Sequence, residues 1–480
     1  MPEILTRSAS NVRWVGTSQL IRLIIQLCSV ALLSRLLAPS DYGLLAMAMV
    51  VTTFAGVLRD MGTANALIQK EELAPALLDT VFWFNIALGL ACSACVAGAS
   101  YPISIAFQEP RLQPVLIALA AIFPISASSV TQQTLMERAS RFRDVALLEI
   151  LSALLGFVAA VITAWCGWGV YSLVAQTFMV AAASTMQVWL LSGWHPTLRW
   201  DQEEFRGIWG FSGNLTVSNI VNYIAHSADT FLVGYFLGAT ELGWYNMTYR
   251  IALLPLQNLT YVTNRALFPV YARQSRTDLG RYYLKSLSLL ALVTSPVILG
   301  LTAVRVPAVE TLLGEKWMPV AGLLAWMCPT VLLHSLLSTT ATILISIGRT
   351  DVLRNCTLLS SVFAVVAFVG GIPFGINGMA AAYFLATVPL FFGIFYITLK
   401  HLNLGLGELA RCTWRPIAIS LAMAAFVMVV DDYLMPHQFQ AWVRLAILLA
   451  VGVVAYFALT ILFLRNLLSQ LKAIALMRSR

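Results

Sequence analysis

The sequence is short of charge. Of its 480 residues only 11% are Asp, Glu, Lys or Arg, while 59% are hydrophobic; soluble domains carry roughly 25% charged residues. That shortage excludes an ordinary water-soluble globule. Long polar connections are missing as well, so nothing is left over to fold as a soluble domain beside the apolar runs. The largest connections on the side opposite the termini, near 303–320 and 432–443, are too short and too poor in paired acidic or basic residues to hold a catalytic site. Cysteine is sparse, with seven in the chain. Cys92 and Cys95 form a CxxC by spacing, but in an apolar stretch without further ligands, which argues against a redox or metal role. The glycosylation-like triplets at Asn214, Asn246, Asn258 and Asn355 fall in or beside apolar runs where no acceptor loop exists. No small-residue cleavage site follows the basic N-terminus, so the first apolar run reads as an uncleaved helix.

What fills the chain is apolar runs of the length that crosses a bilayer, about 20 residues. They fall near 14–36, 43–67, 79–105, 113–135, 145–165, 170–192, 211–237, 243–268, 284–303, 320–346, 356–373, 378–399, 415–431 and 443–464. The expected fold is therefore an all-α integral membrane protein of about fourteen transmembrane helices. Of the 30 basic residues, Arg35, Arg111, Arg305, Lys316 and Arg444 fall on one side and Arg22 and Arg250 inside helices, with the rest on the side of the termini. The positive-inside rule then places both termini in the cytoplasm. The net charge of +8 is thereby a topology signal and calls for no nucleic acid. Trp165, Trp168, Trp194, Trp200, Trp317, Trp414 and Trp442 lie near helix ends, as interfacial belts require. Asp431 and Asp432, between the last two runs, read as a solvated turn.

An offset of 200 residues organises the chain. Leu33 to Gly43 ends in Asp41-Tyr-Gly43, and Val233 to Gly243 ends in Glu241-Leu-Gly243. Carried backward, the same offset sets Gln19 against Asn219, Arg22 against Asn222, Gln26 against His226 and Ser29 against Asp229. With small insertions it runs on through Pro124 and Pro329 and through Asp144 and Asp351. Two six-helix bundles emerge, residues 1–206 and 207–410, followed by residues 411–480 with two further helices and a cytoplasmic tail. Six helices between equivalent positions give both bundles the same orientation. Parallel repeats of that kind occur in transporters, with the site near the midplane at the repeat interface.

Polar residues inside the apolar runs mark the candidate site. Asn219, Asn222, His226 and Asp229 are three, four and three residues apart and share one helix face. Asn246, Arg250 and Gln257 share another. Ionisable side chains in a membrane span are costly unless they face a partner or an aqueous cavity. Two readings stand for Arg22 and Arg250. Either they attract a phosphate-bearing headgroup, which guanidinium matches bidentately, or each neutralises a carboxylate in the bundle, for example Arg250 with Asp229. His226 and Asp229 read either as a coupling site for H+ or Na+ or as a hydrogen-bond network between helices. Glu149 either lines a cytoplasmic vestibule or pairs with Arg143. His334 with Ser338 reads first as a histidine satisfied by its neighbours. Arg273, Arg276, Arg281 and Lys285 are explained by an anionic membrane surface. No cofactor or metal is called for.

Asp229-Thr-Phe-Leu-Val-Gly-Tyr-Phe-Leu-Gly-Ala-Thr-Glu-Leu-Gly-Trp-Tyr-Asn246, with Leu254 to Leu259, Arg265 to Pro269 and Ser34 to Gly43, resembles the Wzx-type polysaccharide flippases of the MOP superfamily, nearest to the colanic-acid exporter subgroup. The resemblance covers about residues 1–400. It implies two bundles around a central cavity that opens alternately to either side. It also implies transfer of a polyprenyl-pyrophosphate-linked oligosaccharide across a bacterial inner membrane, for surface polysaccharide biosynthesis. Arg22 and Arg250 would face the pyrophosphate; Asn219, Asn222, Asn246 and Gln257 would face substrate; His226, Asp229 and Glu149 would line the cavity or serve coupling. Its partners would be membrane lipids, a polysaccharide polymerase and glycosyltransferases. A multidrug or cation antiporter, or a lipid II flippase, shares this architecture and stands as the alternative, with a membrane-embedded glycan polymerase behind it.

Overall fold

The computed structural model describes residues 2–70, 73–202, 219, 220, 223, 227–253, 276–437 and 439–463. Among them every regular element is helical. Ten helical segments are long and apolar enough to cross a membrane, and eleven if the bent pair Leu112–Ala127 and Val130–Arg138 is one crossing. One of the ten, Thr350–His401, holds two expected spans in a single segment of 52 residues, broken by a short 3-10 turn at Ile372–Phe374. The spans expected at 211–237 and 243–268, and the bundle boundary expected at 206, lie wholly or partly outside the described residues. The lipid-facing character is visible on the last helix, where Val454, Phe457 and Leu462 are each more than 60% exposed. In water such a surface would cost about 25 cal/mol for each Å²; in hydrocarbon it costs nothing. The chain is a multi-pass membrane protein.

The described residues fall into two compact units, Met1–Gly243 and Trp244–Arg480. In the first unit, α1 (Pro2–Leu36), α2 (Pro39–Asp60), α3 (Thr63–Gln69) and α4 (Pro75–Ala106) are followed by the broken span α5 (Leu112–Ala120), α6 (Ile122–Ala127) and α7 (Val130–Arg138). Then come α8 (Phe142–Trp165), α9 (Tyr171–Ser192) and α10 (227–237). α8 packs along both α1 and α9, and α4 packs on α2, α5 and α6. Proline opens α2 and α4 at the first helical position, where its missing N–H is no loss. In α2 the Asp41 carboxylate reaches back to accept the Ala38 N–H at 2.9 Å, which satisfies one orphan donor of the helix start.

Beyond α9 the chain is extended and strapped onto the start of α4. Buried Asp79 accepts the Thr197 N–H at 2.8 Å and the Thr197 hydroxyl. Thr80 Oγ1 accepts the Asp201 N–H at 2.8 Å, and Trp83 Nε1 donates to the Thr197 carbonyl at 2.9 Å. Trp194 and Leu135 close this end over Leu67, Leu77, Leu78 and Val81. Trp194 therefore serves packing here, while Trp165 and Trp168 are exposed at the other end as a belt requires.

α11 (239–253) crosses the boundary between the units. The second unit continues with α12 (Arg276–Ala303), α13 (Arg305–Leu312), α14 (Met318–Ser346), α15 (Thr350–Gly371), α16 (Gly375–His401), α17 (Leu406–Leu434) and α18 (Ala441–Phe463). α12 packs on α14 and α17, α16 on α14 and α15, and α18 on α13 and α17. Tyr283, Leu287, Leu336, Ile343, Phe395 and Leu399 lie at the centre of its core. Hydroxyls stitch the helices where water is absent: Tyr283 to Thr339 at 3.3 Å, Ser295 to Ser420 at 2.8 Å, Ser335 to Thr294 at 3.4 Å. Two expectations are corrected here. Trp317 is wholly buried in the unit and belongs to no interfacial belt. Asp431 is 8% exposed and bonded to Arg444, because the end of α17 folds against α18; only Asp432 is solvated.

Candidate functional site

Arg22 and Glu149, chosen from the sequence independently, are brought together. Arg22 Nη1 lies 2.8 Å from Glu149 Oε2, with the two side chains 40% and 34% exposed. Depth explains the match. Arg22 comes six residues after Gly16, where the apolar part of α1 begins, and Glu149 seven after Phe142, where α8 begins. At 1.5 Å per residue both stand about 10 Å inside their spans. An unpaired charge at the centre of a span costs about 3 kcal/mol on insertion scales, so each supplies what the other lacks. The expected pairing of Glu149 with Arg143 is corrected: Glu149 pairs with Arg22, and the Arg143 guanidinium sits 5.4 Å from the centre of the Trp14 ring. Two turns further along α1, Ser29 accepts from the Gln176 amide at 3.3 Å, so the polar face of α1 is directed at α8 and α9.

The second polar stripe is described in part. Asn222, His226 and Gln257 lie outside the described residues. Asn219 is exposed. Asp229 is half-buried, and its Oδ1 accepts the Thr230 N–H at 2.7 Å and the Thr230 hydroxyl at 3.3 Å. A neighbour the sequence reading passed over, Tyr223, donates its hydroxyl to the Val50 carbonyl at 2.6 Å and packs its ring 6.0 Å from Phe54. That ties the stripe to α2. Asn246 and Arg250, one turn apart on α11, are both half-buried. In the second unit His334 is exposed and shares a 3.0 Å hydrogen bond with the Tyr383 hydroxyl, which bears out the reading of a histidine satisfied by its neighbours.

Two features were not anticipated. The span expected at 113–135 is bent by 45° at Ser128–Ser129. Ser128 and Ser129 turn their hydroxyls back onto the Ile125 and Ser126 carbonyls, competing with the helix. α9 caps the break from outside: Trp189 Nε1 donates to the Ser128 carbonyl at 3.0 Å and Thr185 Oγ1 to the Ile125 carbonyl at 3.2 Å. Broken spans with polar linings recur at transporter sites. Just past the bend, Thr131 and both amide atoms of Gln132 are buried without a hydrogen-bond partner in the protein, an expensive arrangement for a purely structural helix.

The other feature is a crossing of two helix starts, α2 and α11. A Cβ on Gly43 would lie 1.6 Å from the Ala239 carbonyl oxygen, and one on Gly243 would lie 1.9 Å from the Pro39 carbonyl oxygen. Residues 200 apart thus exchange places: Gly43 meets Ala239 as Gly243 meets Pro39. Only glycine admits backbones this close. Beside them, Glu241 Oε2 is buried with no hydrogen-bond partner, and burial lifts its carboxyl above the usual carboxylate range.

Comparisons with known proteins agree with this architecture. The chain is 26% identical over 479 residues to the teichuronic acid biosynthesis protein TuaB of Bacillus subtilis (strain 168), covering 96% of each chain. It is 26% identical over 471 residues to the succinoglycan biosynthesis transport protein ExoT of Rhizobium meliloti (strain 1021), covering 96% of this chain and 94% of ExoT. In fold it is similar to the lipid II flippase MurJ in an inward closed conformation, with a TM-score of 0.76 at 14% identity over 94% of this chain and 99% of that one. The family described as polysaccharide biosynthesis protein matches residues 32–322, more than half of the sequence. Apolar helices of membrane length, polar residues set inside them and this match lead to one conclusion: the chain belongs to the polysaccharide biosynthesis protein family.

Proposed function

We propose that this protein is a flippase that carries polyprenyl-pyrophosphate-linked oligosaccharide across the bacterial inner membrane by alternating access, with both termini in the cytoplasm. The observation that carries the proposal is the Arg22–Glu149 pair, half-exposed and about 10 Å inside the apolar spans of a chain from this family. A pyrophosphate and its sugars cannot enter hydrocarbon unaided. A guanidinium held there by a carboxylate is charged, neutralised while empty, and able to exchange the carboxylate for phosphate oxygens of the same geometry. Asn219, Asn222, Asn246, Arg250 and Gln257 are further candidate substrate contacts on the sequence pattern. Asp229 and His226 are the groups that would couple transfer to H+ or Na+. The repeat of 200, supported by the glycine crossing, gives the two states of such a carrier similar halves. Glycosyltransferases would act before transfer and a polysaccharide polymerase after it.

The test is surface polymer in a strain that lacks its own exporter and expresses this chain. Arg22→Ala, at normal membrane levels, should lower surface polymer at least tenfold, and Arg22→Lys less. Undiminished polymer with Arg22→Ala would sink the proposal. The likeness to MurJ favours a second reading, lipid II transfer, which the same strain distinguishes by restored cell-wall synthesis in place of polymer.

A further inference from the structure

At one end of the second unit the start of α12, the α14–α15 turn and the α16–α17 turn enclose a cavity of about 160 Å³, lined by Leu279, Ile347, Arg349, His401, Leu402 and Asn403. The two turns are firmly built. Gly348 and Asn403 take the left-handed conformation with φ of 74° and 56°. The Arg349 and Leu404 N–H groups then donate back to the Leu344 and Leu399 carbonyls, each at 2.9 Å, closing the helix ends. A Cβ on Gly280 would come 3.0 Å from Leu404 Cδ1, so the second turn is seated directly on α12. The floor of the cavity is apolar, since Leu279 belongs to the core and Ile347 and Leu402 pack against it. The rest of its lining, Arg349, His401 and Asn403, is polar.

The chemistry of this polar lining is specific. Arg349 holds both oxygens of Asp351 with Nε at 3.0 Å and Nη2 at 3.1 Å, so Nη1 takes no part in that pair. His401 stands in the last turn of α16, and the Asn403 amide stands beside it. One guanidinium, one imidazole and one amide above three aliphatic side chains match a phosphate ester, with oxygens on the polar lining and carbon on the floor. Size narrows the class. Drug-sized ligands occupy roughly 300–1,000 Å³, and this cavity of about 160 Å³ has room for a phosphate headgroup. Position agrees, because the cavity lies where membrane-length helices end, and Lys400 precedes His401 in the last turn of α16.

We propose that this cavity binds the phosphate group of an anionic phospholipid at the membrane surface, with Arg349 supplying charge and His401 and Asn403 the further hydrogen bonds. Native mass spectrometry of the full-length protein in detergent tests it, with phosphatidylglycerol, phosphatidylethanolamine or inorganic phosphate added. One phosphatidylglycerol should be retained in preference to phosphatidylethanolamine. Arg349→Ala should weaken retention about tenfold, and His401→Ala, which leaves the Arg349–Asp351 pair intact, should weaken it several-fold. Arg354→Ala removes an exposed arginine bonded to Asn355 outside the cavity and should change nothing. Equal loss in the Arg349 and Arg354 variants would reduce the effect to a general basic surface and overturn the proposal, as would retention unchanged by both cavity variants. Retention of inorganic phosphate without phosphatidylglycerol would overturn the lipid assignment in favour of the free ion.

Discussion

Arg22 and Glu149 are the residues on which most of the functional reading turns, and their coupling is measurable. If they neutralise each other inside the membrane, Arg22→Ala or Glu149→Gln alone strands a charge at a cost of about 3 kcal/mol. The double variant should then be more stable than the sum of the two singles predicts. A thermal double-mutant cycle on the purified protein reads this directly, and an interaction energy near zero would contradict the pair. Asp229 makes a different prediction. Should it carry protons, Asp229→Asn will flatten the pH or ion-gradient dependence of transfer in vesicles; an unchanged dependence leaves it structural. Arg22 and Glu149 were each legible in the sequence as charges inside apolar runs. Their pairing was not, because composition reveals depth along a helix but not which helix lies beside it. Arg143, nearer in sequence, was expected in place of Arg22 for that reason.

The crossing of α2 and α11 is the element that the offset of 200 foreshadowed. Asp41, Gly43, Glu241 and Gly243 stood out as a repeat, while their direct contact needed coordinates. Gly43→Ala forces a methyl onto a backbone carbonyl that cannot rotate away, and overpacking of this kind costs about 1–3 kcal/mol. A lowered melting temperature is expected for Gly43→Ala and for Gly243→Ala, with no such loss for Gly98→Ala, where a Cβ meets nothing within 4 Å. Glu241 adds a pH dependence. Burial raises its carboxyl above the ordinary value of 4.5, so the protonated form is favoured in the folded crossing. Its contribution is complete at acid pH and is lost as pH rises through the raised value. Hydrogen exchange at residues 39–43, corrected for intrinsic rate, should therefore speed up with pH in the native protein and stay level in Glu241→Gln. The bend at Ser128–Ser129 was not read from the run at 113–135, although Pro124 and the polar residues Ser126, Ser128 and Ser129 lie in it, because the groups that cap the break, Trp189 and Thr185, come from α9, distant in sequence.

At the scale of the whole molecule, low charge and apolar runs of membrane length were sufficient to read an all-helical multi-pass protein. The expected count of about fourteen helices stands beside ten or eleven segments long and apolar enough to cross a membrane among the described residues, one of which contains two expected spans. Motifs in the chain carried the family, which the match over residues 32–322 then established. Substrate is the property that fold leaves open, because MurJ shares the architecture. The most direct measurement uses vesicles reconstituted with the purified protein and a fluorescent polyprenyl-pyrophosphate oligosaccharide. Flipping is followed by the fraction of lipid that an added glycosidase can reach. Protein-dependent transfer that Arg22→Ala lowers at least tenfold is the predicted result; transfer no faster than in empty vesicles, or equally fast with Arg22→Ala, would contradict the account.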